Sequence, residues 1–346
     1  NMNIQKLFKQ KKQIIIAEIA QSHDGSLNYV HSFIDQAAKS GADVVKFQAH
    51  FADEESSLQD KFRTFTSYKK ESRFNYWKRM QFTIEEWFQI KKHIKNKKML
   101  FSSSVFSEKA INVLEKIGLD IWKIASGESL DLDLIKKIVN RSKKPIFVST
   151  GMNYQNEVDQ IYSYLKKQKN LFLLMHCVSQ YPCDLKNIGL NILDQYKKKY
   201  NCLIGYSDHS GRIEIPLVSL EKKISALELH VTFNKKIFNP DSSSSINFED
   251  LAFICNYIKI KNKLDDSKIS KNKITKKLIK NRKLFSKSLA LKQNMKKGDV
   301  IKLNDLTLKK PGKGLKWDER KKIIGYILKK DKSKNNLLKK NDVKKN

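Results

Sequence analysis

The sequence has 346 residues, a hydrophobic fraction of 40% and a formal net charge of +33. This length fits one barrel-sized domain of about 250 residues with a small additional domain, and the low content of Gly and Pro argues against a low-complexity chain. No run approaches the roughly 20 apolar residues of a membrane span, and the first lysines are not followed by the apolar segment of a secretory signal. We therefore expect a cytoplasmic protein that does not bind membranes.

The positive charge raises the question of nucleic-acid binding. Nearly all of it is carried by Lys, whereas the few Arg residues are scattered along the chain. Surfaces that bind nucleic acids commonly combine Arg with interleaved aromatic side chains. We interpret the lysines as solvated surface residues that help to attract an anionic substrate, and we expect no nucleic-acid partner.

Short apolar runs rich in β-branched residues alternate with helical patterns through the first three quarters of the chain. Eight consecutive strand–helix units predict an α/β fold with a closed (β/α)8 barrel, a TIM barrel. A doubly wound open sheet is the alternative, but no G-x-G-x-x-G turn follows the first strand. The predicted strands are Ile14–Ile19, Val44–Phe47, Met99–Ser103, Ile121–Ile124, Pro145–Ser149, Leu171–His176, Leu203–Gly205 and Leu227–Val231. The predicted helices include Tyr29–Lys39, Ile84–Ile94, Glu108–Lys116, Leu132–Val139, Glu157–Lys166, Leu190–Lys198 and Asn247–Lys259.

The composition changes near residue 263. The segment 263–284 is dense in Lys, Asn, Asp and Ser and is predicted to be a linker with one short helix. Residues 285–346 show short strand patterns separated by turn signals such as Lys297-Gly298-Asp299 and Pro311-Gly312. We therefore predict a barrel domain over residues 1–262, a linker over 263–284 and a small, mostly β domain over 285–346.

Several predicted strands carry polar residues near their C-terminal ends, which a barrel places on one rim, where the active site lies. Glu18 shares a face with Ile16, and a carboxylate there suits proton transfer, with an ion pair to a nearby Lys as the alternative. Lys46 and Gln48 share a face of the second strand, and Lys123 lies on the fourth. A buried Lys is costly without an anion, so Lys46 and Lys123 indicate a phosphate or carboxylate site. The alternative is a Lys that reaches solvent at the rim.

Two histidines lie near the ends of the last two predicted strands. Adjacent strands would bring His209 and His230 together, and two imidazoles with substrate oxygens suit Mn²⁺ or another divalent ion. The alternative is that one ring only hydrogen-bonds Asp208. Asp208 or Glu228 could orient a ligating ring, and His176 is interpreted as a structural residue or a residue that supports a ligand.

Together these segments resemble the sialic acid synthase (N-acetylneuraminate synthase) family, which includes legionaminic acid synthases. The resemblance covers nearly the whole chain and rests on the stretches IIAEIAQSHDGS, GADVVKFQ, WKIASGE, KPIFVSTGM, HCVSQYP, GYSDHS and ELHVTF. The C-terminal stretch ALKQNMKKGDVIKLNDLTLKKPGKG resembles the antifreeze-like (SAF) domain of that family. The resemblance implies a metal-dependent, C–C bond-forming transferase whose SAF domain caps the barrel of the partner chain in a domain-swapped homodimer.

The resemblance also implies substrates and residue roles. Phosphoenolpyruvate, an N-acyl amino sugar aldehyde and water would give a nonulosonic acid and phosphate. Glu18 would be the acid/base residue, and His209 and His230 would hold Mn²⁺ or Mg²⁺. The sugar would contact Gln48, Tyr181, Asp241 and, from the partner chain, Lys310. Phosphoenolpyruvate would contact Lys46, Ser103, Ser104, Lys123, Ser126, Ser179 and Ser207.

Some positions depart from the family pattern. Val178 replaces a Thr, and Lys310 replaces an Arg whose bidentate fork a Lys cannot repeat, so the acceptor sugar is left open. A related synthase acting on a phosphorylated sugar is one alternative, and a Schiff-base aldolase with Lys46 or Lys123 as nucleophile is another. A non-catalytic basic protein that binds an anionic polymer is disfavoured by the polar residues at six or more strand ends.

Overall fold

The computed structural model describes residues 4–10, 13–62 and 71–346. The chain divides into two compact units, the first ending at Asp265 and the second running from Asp266 to Asn346. Within the described residues, no helix combines the length and the apolar character needed to cross a bilayer.

The first unit is built around a closed barrel of eight parallel strands in chain order, in which the last strand pairs with the first. The predicted TIM barrel is thereby confirmed, and the alternative of an open sheet is wrong. The strands are β1 (Ile14–Glu18), β2 (Val44–Ala49), β3 (Leu100–Val105), β4 (Ile121–Ile124), β5 (Ile146–Ser149), β6 (Phe172–His176), β7 (Leu203–Asp208) and β8 (Ala226–His230).

Helices surround the barrel, and their ends follow local signals. For example, Thr83 and Glu86 form a capping box at the start of the helix Ile84–Asn96, and Gly41 ends the helix Leu27–Ser40 with a φ of 93° that favours glycine. The helices are α1 (Ile4–Gln10), α2 (Leu27–Ser40), α3 (Ala52–Glu55), α4 (Arg73–Met80), α5 (Ile84–Asn96), α6 (Glu108–Ile117), α7 (Leu132–Arg141), α8 (Gln155–Lys166), α9 (Asn191–Lys199), α10 (Glu214–Leu220) and α11 (Phe248–Asp266).

Strand alternation divides the buried side chains into two sets. One set faces outward and packs against the helices in the main core. The other fills the lower part of the lumen, where α1 closes the barrel with Ile4 and Leu7. Polar residues occupy the lumen positions that come later in the strands, so they lie toward the opposite end. The apolar lumen residues are Ile14, Ile16, Val44, Leu100, Ile121, Phe147, Leu173, Met175 and Ala226.

The second unit contains α12 (Lys276–Phe285), an antiparallel pair β9 (Ser288–Leu291) and β10 (Leu306–Lys309), α13 (Arg320–Ile323), and a second antiparallel pair β11 (Ile327–Leu328) and β12 (Val343–Lys344). It has its own apolar core, which includes Leu289, Leu306 and Leu338. The segment predicted to be a linker holds more helix than expected, because α11 continues to Asp266 and α12 follows. No Gly or Pro lies in residues 263–284 to end a helix.

Candidate active site

Two buried lysines face one buried carboxylate inside the barrel. Lys46 on β2 and Lys123 on β4 each point toward Oε1 of Glu228 on β8, at Nζ–Oε1 distances of 2.9 and 3.0 Å. None of the three side chains is more than 4% exposed. Burial of these charges is tolerated because each has an opposite charge within hydrogen-bonding distance.

The carboxylate of Glu18 also contacts Lys46. Glu18 Oε2 lies 3.3 Å from Lys46 Nζ, and the side-chain amide of Gln48 donates to Glu18 Oε1 at 2.8 Å. The pairing of β1 with β2 explains this contact, because it places Glu18 opposite Lys46. Three residues that the sequence assigned to one site therefore lie together.

The two carboxylates differ in their protonation. Burial raises the pKa of Glu18 to about 7, against the opposing effect of Lys46. Burial also disfavours ionisation of Glu228, but Lys123 and Lys46 outweigh it and hold the pKa of Glu228 below its ordinary range. Despite its own burial, Lys46 has a raised pKa because Glu18 and Glu228 stabilise its charge. Glu18 is thus the group that can exchange a proton near neutral pH, while Glu228 stays ionised.

A second group of side chains lies beside Glu228. The ring centroids of His209 and His230 are 5.2 Å apart, and the Tyr181 ring stacks on His209 at 4.2 Å. Ser207 links the two groups, because its hydroxyl donates to Glu228 Oε1 at 3.0 Å and lies 3.4 Å from His209 Nε2. The lysines, the carboxylates and the imidazoles therefore form one continuous site.

The tautomer of His209 is fixed by its surroundings. Its Nδ1 donates to the carbonyl of Val178 at 2.7 Å, so Nε2 carries the lone pair and faces Ser207 and Tyr181. Burial, and then the nearby His230, lowers the pKa of His209 to about 3. A neutral imidazole oriented through its other nitrogen is the form that binds a metal ion.

The imidazole nitrogens of His209 and His230 are therefore suitable ligands for a divalent cation. The described residues contain no group of three or more His, Cys, Asp or Glu side chains arranged to hold a metal. Two protein ligands would leave further positions for substrate oxygens and water, which Mn²⁺ and Mg²⁺ accept readily.

Comparisons with known protein families agree with this arrangement. A family model described as the NeuB family matches residues 33–270, and a model described as the SAF domain matches residues 286–344. The chain belongs to the NeuB family. The family resemblance inferred from the motifs is confirmed, and so is the C-terminal SAF domain.

Individual members of the NeuB family are similar along most of their length. An N,N'-diacetyllegionaminic acid synthase of Campylobacter jejuni is 31% identical over 335 residues, which cover 95% of this chain and 99% of the relative. A pseudaminic acid synthase of the same species is 28% identical over 356 residues, covering 99% of both chains. The structure of a sialic acid synthetase from Leptospira borgpetersenii in complex with citrate has a TM-score of 0.66 and 29% identity, covering 78% of this chain and 89% of that chain. The predicted enzyme class, a C–C bond-forming synthase, is confirmed.

The serines of β3 are placed on opposite faces. Ser104 lies in the lumen, where its hydroxyl is 3.5 Å from Lys46 Nζ. Ser103 lies on the outward face with Phe101 and Val105, and its hydroxyl donates to the carbonyl of Ser104. The structure therefore does not bring Ser103 to the lysines, and its predicted contact with phosphoenolpyruvate has no support from its position.

Ser126 and Ser179 lie near Cys177. Burial raises the pKa of the Cys177 thiol, and the nearby hydroxyl groups of Ser149 and Ser126 oppose that shift. Gly151 permits this close packing, because a Cβ atom there would lie 2.6 Å from Cys177 Sγ and 2.9 Å from Ser179 Oγ. Lys123 also acts on the thiol electrostatically, which places these serines on the Lys123 side of the site.

The remaining predicted sugar contacts are less closely grouped. Tyr181 stands over His209, and its hydroxyl lies 3.3 Å from His209 Nε2. Asp241 is buried in the loop after β8, where its carbonyl accepts a hydrogen bond from Ser245 at 2.7 Å. Lys310 lies in the second unit, with its Nζ 5.8 Å from the ring centroid of Phe285. A contact between Lys310 and the barrel of a partner chain stays a prediction.

The sequence interpretation underrated Glu228. The sequence predicts a residue that could orient a ligating histidine, whereas in the structure Glu228 is the shared partner of two lysines and of Ser207. Strand alternation gave a usable signal, since Glu228 is two residues before His230 and so shares its face. Asp208, the other residue considered for that role, instead accepts hydrogen bonds from Tyr206 and Ser210.

Proposed function

We propose that this enzyme condenses phosphoenolpyruvate with the open-chain aldehyde of an N-acyl amino sugar. C3 of phosphoenolpyruvate bonds to the aldehyde carbon, water adds at C2, and the tetrahedral carbon releases phosphate by C–O cleavage. The products are a nonulosonic acid and inorganic phosphate. A 2-acetamido or 2,4-diacetamido hexose is the proposed acceptor, which accords with relatives named for legionaminic and pseudaminic acids.

The observation that carries the proposal is the convergence of Lys46 and Lys123 on one point of the lumen. Two ammonium groups there favour a ligand with several negative charges, and phosphoenolpyruvate carries both a phosphate and a carboxylate. Such contacts are charge-assisted hydrogen bonds, which are stronger than neutral ones. Ser104 and Ser207 lie beside these charges and can donate further hydrogen bonds.

Glu18 is the proposed proton carrier. The aldehyde oxygen takes up one proton as it becomes a hydroxyl group, and protonated Glu18 supplies it. The water that adds at C2 releases one proton, which restores Glu18. A pKa of about 7 suits both steps because neither protonation state is strongly disfavoured.

The proposed cofactor is a divalent cation, Mn²⁺ or Mg²⁺, with His209 and His230 as its protein ligands. The cation would supply Lewis-acid polarisation of the aldehyde oxygen. The support for this assignment is the neutral state of His209 and the approach of the two rings. Gln48, Tyr181 and Asp241 are the proposed contacts of the sugar.

The decisive assay measures phosphate release from phosphoenolpyruvate with Mn²⁺ and a panel of 2-acetamido, 2,4-diacetamido and 6-phosphorylated hexosamines. We expect release with at least one sugar and loss of release when EDTA is added. Failure with every sugar would contradict the proposal, and release only with a phosphorylated sugar would identify the related synthase.

A Schiff-base aldolase is the second candidate, because burial lowers the pKa of Lys123, as in lysines that form imines. The ion pair of Lys123 with Glu228 opposes this role by keeping the ammonium charged. Borohydride treatment with a keto-acid substrate separates the candidates. A covalent adduct on Lys123, formed in the presence of EDTA, would support the aldolase.

We further propose that the enzyme acts in the cytoplasm, the compartment that supplies phosphoenolpyruvate. We also propose a homodimer in which the SAF domain of each chain covers the barrel of the other. Light scattering on the full chain tests the dimer, and a monomer that is fully active would contradict it.

A further inference from the structure

His50 lies one residue beyond the end of β2 and is buried at 8% exposure. Both nitrogen atoms of its ring face side-chain oxygens. Nε2 lies 2.9 Å from Oε1 of Gln48, and Nδ1 lies 2.8 Å from Oε1 of Glu55. Since Gln48 in turn donates to Glu18, the four side chains form one hydrogen-bonded row that ends at the proposed proton carrier.

Two aromatic rings fix the plane of the imidazole. Trp77 on α4 stacks on one side, with ring centroids 3.7 Å apart and an interplanar angle of 24°. Phe106, just after β3, stacks on the other side at 4.2 Å and 15°. Because the ring is held between two flat surfaces, it cannot turn away from Gln48 without losing both contacts.

Glu55 fixes the direction of the hydrogen bonds. Its Oε1 also accepts from the backbone N–H of Phe51 at 3.1 Å, so Glu55 acts as an acceptor and Nδ1 of His50 as the donor. Nε2 faces Oε1 of Gln48, which is an acceptor, so this nitrogen must donate as well. The ring that satisfies both contacts is the imidazolium, paired with the Glu55 carboxylate at 2.8 Å, and the NH₂ group of Gln48 then points to Glu18. If the Gln48 amide were rotated, its oxygen would face the carboxylate of Glu18 and its NH₂ group would face the N–H of His50, and both contacts would be unfavourable.

We propose that His50, held by Glu55, is a positioning residue that keeps the amide of Gln48 turned with its N–H toward Glu18. This inference rests on the proposed function, in which Glu18 carries the proton. Loss of His50 would let the amide rotate and leave Glu18 without its fixed donor. Turnover should fall while phosphoenolpyruvate binding is kept, because His50 does not touch Lys46 or Lys123.

The substitution His50→Phe tests this, because a phenyl ring keeps the stack with Trp77 and Phe106 but has no N–H donor. We expect kcat to fall by at least about tenfold, as misplaced catalytic groups commonly cause. The KM for phosphoenolpyruvate and the melting temperature should change little. His93→Phe, a histidine on α5 outside the site, is the matched control and should leave kcat unchanged.

A double-mutant cycle distinguishes positioning from a purely structural role. If His50 acts through Gln48, adding His50→Phe to a Gln48→Ala variant should cause no further loss of kcat. Independent, multiplying losses would overturn the inference. Glu55→Gln, which keeps a carbonyl acceptor for Nδ1, should retain more activity than Glu55→Ala, and equal losses would count against the assigned role of Glu55.

A structural measurement keeps the inference testable without turnover. In a crystal structure of His50→Phe, the 2.8 Å contact between Gln48 and Glu18 should be lost, and an unchanged contact would overturn the inference. Absence of phosphate release by the unsubstituted enzyme would contradict the proposed function only. Normal phosphate release by both the unsubstituted enzyme and the His50→Phe variant would contradict the role of His50 only.

Discussion

Oε1 of Glu228 lies 3.0 Å from the ammonium nitrogen of Lys123, and neither side chain is more than 3% exposed. The two residues stand on β8 and β4, which are on opposite sides of an eight-stranded barrel. The ion pair therefore crosses the lumen, and its two charges depend on each other because neither has access to bulk water.

Glu228→Gln should destabilise the fold, since it leaves Lys46 and Lys123 with one fewer buried carboxylate. Removing one partner of a buried ion pair commonly costs about 3–5 kcal/mol. Urea unfolding measures the change in the free energy of unfolding. Asp194→Asn, which removes an exposed partner of Lys222, is the control and should have little effect. Equal losses in the free energy of unfolding of both variants would show that the buried ion pair stabilises the fold no more than the exposed one.

Glu18→Gln should preserve the fold and the affinity for phosphoenolpyruvate but lower kcat by about 10²–10⁴-fold, because Gln cannot carry the proton. Calorimetric titration with phosphoenolpyruvate and the phosphate-release assay measure the two properties separately. Glu85→Gln on α5 is the control for an acidic residue outside the site. Near-normal turnover of Glu18→Gln would remove Glu18 from its assigned role.

His209→Ala should weaken binding of Mn²⁺, since it removes one of the two proposed protein ligands. Electron paramagnetic resonance of free and bound Mn²⁺ measures this without any turnover. The same variant should lose phosphate release, as should the unsubstituted enzyme after treatment with EDTA. His31→Ala, which alters a histidine on α2, should bind Mn²⁺ normally, and an equal loss there would point to a different site.

Gly151→Ala should raise the KM for phosphoenolpyruvate, because the added Cβ would lie 2.6 Å from Cys177 Sγ and 2.9 Å from Ser179 Oγ. The neighbouring chain must shift, and Ser179 shifts with it. Gly127→Ala is the control, since its Cβ would meet only the terminal methyl group of Met152, at 3.3 Å. Steady-state kinetics compare the variants, and identical KM values would argue that Ser179 does not contact the substrate.

The contribution of Glu128 to the stability of the fold should decline as the pH rises. Burial, with smaller effects of Glu55 and Asp131, raises its pKa to about 7 from an ordinary value of 4.5. Between these values the folded chain binds more protons at Glu128 than the unfolded chain, so its contribution to stability declines with increasing pH. Melting temperatures at pH 5 and pH 8 should differ more for the unsubstituted protein than for Glu128→Gln. The partial exposure of Glu128 keeps the difference small, and an equal difference in both proteins would contradict the expectation.

The barrel and much of the site were accessible from the sequence, because period-two alternation determines which side chains enter the lumen. Glu18, Lys46 and Gln48 follow from it directly. The same rule also separates Ser104 from Ser103, since Phe101 and Val105 mark the outward face of β3. Applied strictly, alternation would have excluded Ser103 from the site.

Other features depend on distances across the barrel that a sequence does not contain. The contact of Glu228 with both lysines requires the diameter of the closed barrel and the relative height of β2, β4 and β8. The position of His50 depends on Trp77 and Phe106, which come from separate segments of the chain. A single histidine after a strand gives no indication of such a stack.

The short helix α1 seals the lower end of the barrel with Ile4 and Leu7. Among the described residues, apolar side chains fill this end of the lumen, so a substrate would reach Lys46 and Lys123 from the rim. Under the proposed function, phosphoenolpyruvate lies against Lys46 and Lys123 and the sugar reacts above it, so we expect phosphoenolpyruvate to bind first. The shape of the barrel would then set the order of substrate binding.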